Sequence, residues 1–257
     1  MSHGRYVYCV AGTGEKVTLG EIGIDGREVY TIPDGDLCAV VHDCPTQPYT
    51  SEDRDLLQQW VLAHHRVVGA AWDRWSVTLP FSFNTIIQGE TEAVTEQNVR
   101  DWIRGEYGRL KNKIDALSGK AEYGVQVYWD PKTISEALIE SSPEIQALTE
   151  ELKAKSRGLA YIYRQKLETL VRRQMEVRAD ECFRDFYGRI RRRVDDVRVE
   201  KTRASERGLE MILNLSCLIS RERSEPLGEE LDKINRLEGF SVRFTGPWPP
   251  YSFVGNS

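Results

Sequence analysis

No apolar run in this sequence approaches the roughly 18 residues needed to cross a bilayer, which predicts a chain that does not span a membrane. No secretory leader is expected either, because in "MSHGRYVYCVAG" the apolar part is too short for the basic-then-apolar layout of a signal peptide. Both absences predict a cytoplasmic protein. Cysteine is scarce and odd in number: Cys9, Cys38, Cys44, Cys182 and Cys217 lie far apart, mostly inside apolar runs. In a reducing compartment such residues read as small buried hydrophobes rather than bridges. The chain has no Gly-x-Ser-x-Gly elbow, no His-Glu-x-x-His helix and no phosphate-binding P-loop. It also has no internal repeat and no low-complexity segment. A strong excess of charge is absent too. The net charge is −5, which does not indicate a general polyanion-binding surface and predicts no nucleic-acid partner.

What is present is a globular balance. The 257 residues are 40% hydrophobic and 29% charged, enough for one large domain or two ordinary ones. "RYVYCVAG", "REVYTI" and "LCAVVHD" read as strands, the last two joined by the turn "PDGD". A long amphipathic helix follows, with Ser51 as its N-cap. Its stripe runs through Leu56, Leu57, Trp60, Val61, His64, Val67, Val68, Ala71, Trp72 and Trp75. "SVTLPFSFNTII" reads as one further strand, and Thr95 to Leu117 as one helix.

"SGK" at residues 118–120 reads as a linker, so two domains are expected: residues 1–119 and residues 120–257. The second restarts with the strand "EYGVQVYWD". A mostly helical stretch then runs from about Lys132 to Arg203, with Pro143 opening a helix and "KSRG" interrupting. Taken as one helix, Leu159 to Val199 would be about 60 Å long at 1.5 Å per residue. A helix of that length projects from a small domain or packs as a coiled-coil arm. "GLEMILNLSCLIS" is a strand, "PLGEELDKINRL" a short helix and "FSVRFTGPWPPYSF" the last strand. The fold class is therefore α+β in two domains. The first is an antiparallel sheet with helices; the second is a modified ferredoxin-like sandwich with a missing or altered strand.

Candidate chemistry is thin. Gly12 and Gly14 follow a strand, but the third glycine and the helix of a dinucleotide fingerprint are lacking, so a loop is expected. Cys38, His42 and Cys44 lack zinc-ligand spacing, and a strand end carrying these residues by chance is the plainer reading. His64 and His65 point about 100° apart on a helix and cannot clasp one ion; His64 falls on the apolar face and reads as a core or interface residue. "RIRRRVDDVRVEKTR" reads as a solvated helix face with i,i+4 charge pairs. No catalytic residue, metal or cofactor is expected. The candidate partner-binding residues are Pro247, Trp248, Pro249, Pro250, Tyr251 and Phe253. Proline fixes φ and lacks an N–H, so this segment is stiff and cannot pair as a central strand. Its aromatics either fold back into the core or offer a rigid edge to another protein; the two uses are compatible.

"TGPWPPYSFV" (Thr245 to Val254) also resembles the closing motif of the gas vesicle protein F/L family. "YVYCVAG" (Tyr6 to Gly12), "AHHRVVGAAW" (Ala63 to Trp72), "TLPFSFNTII" (Thr78 to Ile87), "GVQVYWD" (Gly124 to Asp130) and "GLAYIYRQK" (Gly158 to Lys166) resemble further family segments, in order. Asn84 stands where the family usually has Gly, and Asn tolerates positive φ better than other side chains. Ser82 and His65 replace charged residues common in the family. The resemblance implies a non-catalytic accessory protein of gas vesicle assembly, with an N-terminal α+β domain and a modified ferredoxin-like C-terminal domain. It implies contact with the small, hydrophobic shell protein and with other accessory proteins. Two alternatives stand beside it: a structural component retained on the vesicle, and a ligand-binding protein or enzyme with a ferredoxin-like domain.

Overall fold

The computed structural model describes residues 3–203 and 208–255. Backbone contacts divide the chain into two units, one of Met1–Glu122 with Pro247–Ser257, the other of Tyr123–Gly246. The segment from Pro247 onward thus groups with the first unit.

The first unit contains β1 (His3–Ala11), β2 (Thr18–Gly20), β3 (Val29–Asp34), β4 (Leu37–Cys44), α1 (Arg54–Trp75), β5 (Thr78–Pro80), β6 (Ile86–Gly89), α2 (Glu92–Gly105) and α3 (Tyr107–Leu117). Its sheet runs β2-β3-β4-β1-β5, with β6 also pairing to β1. All of these pairings are antiparallel. β1 is apolar along nearly its whole length because it is central: every residue from Gly4 to Ala11 is buried, so both its faces are covered. A register shift between Val7 and Cys9 interrupts its pairing with β4. On one face Tyr6, Tyr8 and Val40 pack with Ala63, Val67, Val68 and Ala71 of α1. α2 packs against β1, β3 and β4. The "PDGD" turn is in place, with Gly35 at φ 63. Gly14 follows β1 in a loop so close to the Gly35 carbonyl that a Cβ would sit 2.4 Å from its oxygen. All five cysteines are free thiols inside the core.

Three local expectations are corrected. The N-cap of α1 is Asp53, whose carboxylate accepts from the Asp55 and Leu56 amides, while Ser51 accepts from the Asp53 amide. A carboxylate at that position also favours the positive helix end. The single strand over "SVTLPFSFNTII" is two short ones, β5 and β6, separated by a turn in which Asn84 adopts φ 69. The helix over Thr95 to Leu117 is broken at Glu106 into α2 and α3.

The second unit contains β7 (Lys120–Trp129), α4 (Pro131–Ser141), α5 (Pro143–Lys153), α6 (Arg157–Arg191), β8 (Asp196–Val199), β9 (Glu210–Ser220), α7 (Glu225–Asn235) and β10 (Phe240–Trp248). β7 alternates strictly, with Ala121, Tyr123, Val125, Val127 and Trp129 buried. The sheet order is β10-β7-β9-β8. Numbered within the unit this is 4-1-3-2 on a βαββαβ chain, a ferredoxin-like arrangement whose first crossover has grown into α4, α5 and α6. β10 lies at the sheet edge, as its proline requires. Pro131 and Pro143 each occupy the first turn of a helix, behind the N-caps Asp130 and Ser142.

The missing strand is not missing. α6 stops at Arg191, and β8 pairs antiparallel with β9, setting Val197 opposite Cys217. The expected helix to Val199, with Val194 and Val197 on its stripe, is therefore wrong. Asp195 makes no i,i+4 helical pair; its carboxylate accepts from the Ser220 amide and pairs with Arg223 at 2.9 Å. These bonds pull "VDDVRV" out of the helix and onto the sheet.

Candidate partner-binding surface

β10 ends at Trp248, and a single-turn helix α8 (Tyr251–Val254) follows two prolines. The turn closes through the Tyr251 amide on the Pro249 carbonyl (2.8 Å) and the Phe253 amide on the Pro250 carbonyl (3.1 Å). Side chains of the first unit then fasten it. Glu122 accepts from the Ser252 amide (2.7 Å) and hydroxyl (2.6 Å). Lys113 donates to the Val254 carbonyl. The Tyr251 hydroxyl lies 2.8 Å from His65 Nδ1, and the two rings meet edge to face at 5.0 Å. Burial raises the Tyr251 phenol above its usual range, so it stays protonated.

The six candidate residues divide. Pro249, Pro250 and Phe253 are buried, and Tyr251 is half-buried against the α1 core cluster. Pro247 and Trp248 are exposed, the indole by 54%. The anchors are inside and the indole is outside. Immobilising a large aromatic before a partner arrives lowers the entropic cost of binding it.

The residues considered for other chemistry lie in the core. Tyr6 accepts from the Asn84 amide and lies 2.9 Å from His64 Nδ1. Asn84 in turn bonds both the amide (2.8 Å) and the carbonyl (3.0 Å) of Tyr49, whose hydroxyl meets His42 Nε2 at 2.9 Å. Burial lowers His42 and His64 to about 4, so both are neutral near pH 7. Burial also raises Cys38 to about 12 and Cys44 to about 11, leaving unreactive thiols. Among the described residues no three His, Cys, Asp or Glu side chains are placed to hold a metal ion. Among those same residues no helix is long and apolar enough to cross a membrane. The cluster is an aromatic core tied by hydrogen bonds among Tyr6, Tyr49, His42, His64 and Asn84.

The long charged helix is a second candidate contact surface on its sequence, and the structure shows which part of it is exposed. The N-terminal half of α6 carries Leu159, Ile162 and Val177, each about half exposed, beside a groove bounded by α4 and α5. Its signal was there in the helical spacing of Ile162, Leu170 and Val177, but that spacing reads equally well as a buried stripe.

The sequence matches the family described as gas vesicle synthesis protein GvpL/GvpF over residues 4–255. The chain belongs to that family. Among curated relatives, it is 30% identical to gas vesicle protein L2 of Halobacterium salinarum, with 99% of this chain and 92% of the relative aligned. It is 28% identical to gas vesicle protein L1 of the same organism, covering 99% and 91%. The crystal structure of GvpF from Anabaena superposes with a TM-score of 0.78 at 20% identity, covering 99% of each chain. GvpF from Microcystis aeruginosa gives 0.67 at 20% identity, covering 98% and 99%. These structures share the fold. The place of this GvpL/GvpF member is thus in gas vesicle formation. The names of these relatives denote gas vesicle proteins and no enzyme.

Proposed function

We propose that this GvpL/GvpF protein is a cytoplasmic assembly factor that works by direct contact with other gas vesicle polypeptides. It shields or delivers the hydrophobic shell protein while the vesicle nucleates and grows. A subunit that builds a water-excluding wall exposes apolar surface before it is assembled, and such surface aggregates unless covered. A covering partner needs a charged exterior for solubility and a stiff apolar contact. The observation that carries the reading is Trp248, an exposed indole on a segment anchored by buried Pro249, Pro250 and Phe253. Interface energy concentrates on such preorganised aromatics.

The test is capture of the purified shell protein, with the other accessory proteins supplied, on the immobilised full chain. Retention that Trp248→Ala reduces several-fold is expected. Empty beads with every partner present would remove the proposal. A chain that stays on purified vesicles through a urea wash would assign it a structural role on the finished vesicle instead.

A further inference from the structure

α6 is one helix with two surroundings. Near its C-terminal end Cys182, Phe186 and Ile190 are buried at i, i+4 and i+8. Between Gly158 and Glu181 no described side chain is fully buried, although Leu159, Ile162, Leu167, Leu170, Val171 and Val177 are apolar. Two adjoining depressions run along this stretch, each of about 440 Å³. They share Leu170 and Arg173; Leu138 of α4 and Val177 line one, and Ile162 lines the other. From Ile162 to Glu181 the trough is about 28 Å long at 1.5 Å per residue, the length of five helical turns.

Charge gives this groove a direction. Lys166 and Arg173 line it, and Arg164 and Arg172 stand beside them on the same helix. None of the four takes part in an ion pair among the described residues, whereas Arg178 pairs with Glu181 at 3.2 Å and Arg189 with Glu230 at 2.6 Å. Among the side chains that line the trough, the cations Lys166, Arg173 and Arg178 outnumber the acids Glu144 and Glu181, on a chain whose net charge is −5. Glu181 is taken up by Arg178, and Glu144 accepts from Gln174 at 3.3 Å. A uniform polyanion would have no use for an apolar floor, and it would meet Glu168 and Glu176 on the way. Lys166 rests over the Tyr163 ring at 5.1 Å and holds no carboxylate among the described residues, and an apolar trough edged by cations free of ion pairs fits an amphipathic helix with carboxylates at the edges of its apolar face.

We propose that the groove formed by α4, α5 and the N-terminal half of α6 receives an acidic amphipathic helix of another gas vesicle protein, Ile162, Leu170 and Val177 meeting its apolar face and Lys166 and Arg173 its carboxylates. This rests on the reading that the chain works by protein contact.

The probe is a fluorescent helical peptide of about 18 residues, leucine at helical spacing with glutamate at both edges. Its twin carries lysine at the same edges. Anisotropy titrations use the full chain. The glutamate peptide is expected to bind at least about tenfold more tightly than the twin, with affinity falling as salt rises. The double variant K166E/R173E should reverse that preference, and I162D/V177D should abolish binding of both. All four positions are exposed or at the groove rim, and circular dichroism should match the parent. Equal affinity for the two peptides overturns the proposal, as does a preference that K166E/R173E leaves unchanged. A concentration-dependent dimer that I162D/V177D dissolves would assign the groove to a second copy and overturn it too. Capture of shell and accessory proteins separates the two levels. If the parent chain retains them and both double variants retain as much, the groove assignment falls and the contact function stands. If the parent chain retains none, the function itself falls, and the groove assignment with it.

Discussion

The two ends of α6 are built from similar residues and treated differently. The C-terminal end buries Cys182, Phe186 and Ile190 in the core of the second unit, where Phe186 meets Phe240 edge to face at 5.3 Å. There Glu230, itself buried, holds Arg189, and the arginine keeps its carboxyl below the usual range. The N-terminal end has comparable apolar side chains, and it leaves Leu159, Ile162 and Val177 about half exposed and Leu167, Leu170 and Val171 only partly buried. Apolar periodicity therefore marks a face with a use, and the neighbours decide whether that use is folding or contact. The sharpest way to break the comparison is truncation at both ends. Phe186→Ala removes a buried ring and should cost about 3–5 kcal/mol, read as a large drop in the denaturation midpoint. Ile162→Ala should stay within about 0.5 kcal/mol. Equal losses would mean that the first half of α6 belongs to the core just like the second.

A second contrast lies between the buried histidines and the surface ion pairs. His42 and His64 titrate at about 4 in the folded protein because burial disfavours the imidazolium. In the unfolded chain they titrate near 6.5. The unfolded state thus binds protons first, and stability present above about pH 6.5 drains away as pH falls toward 4. Each histidine contributes up to about 3 kcal/mol across that window. Urea midpoints measured between pH 7 and 4.5 should fall, and His64→Gln should roughly halve the slope. A flat profile would show that these rings are hydrated. Surface pairs such as Lys153–Glu150 should respond to salt far more weakly, at a few tenths of a kcal/mol.

How much was legible follows from the same physics. β7 announced itself by strict alternation, and β9 by a short apolar run of Met, Ile and Leu bounded by turn residues. Asn84 was legible as a positive-φ position and adopts φ 69. β8 was hidden because Val194 and Val197 suit a helix as well as Val197 and Val199 suit a strand; pairing with β9, distant in sequence, decided it. The break between α2 and α3 did carry a mark, Gly105 before Glu106 and Gly108 just after, but isolated glycines are tolerated inside a helical pattern and the apolar stripe continues past them. For the closing segment, the prolines revealed stiffness, but only the fold sorts the buried anchors from the exposed indole. Asn84 also supplies a finer test. Asn84→Ala loses both bonds to Tyr49 and keeps the unfavourable backbone, at about 2–3 kcal/mol. Asn84→Gly loses the bonds alone and should cost about 1–2 kcal/mol. If the glycine variant proved the less stable, the left-handed backbone at this position would not be what penalises alanine.

A small expected change in stability belongs to the residue with the largest expected change in binding. Trp248 is more than half exposed, while Phe253, five residues on, is buried. Trp248→Ala should therefore shift stability by less than about 1 kcal/mol, within reach only of paired denaturation curves. Phe253→Ala should cost several-fold more, because it empties the seat that fixes the segment. Capture of gas vesicle partners should rank the two variants differently from stability: the tryptophan variant folds normally and retains little, as hot-spot aromatics do. If Trp248→Ala bound like the parent while Phe253→Ala lost both folding and binding, the segment would be a plug for the first unit. The contact surface would then have to be sought on the bare half of α6.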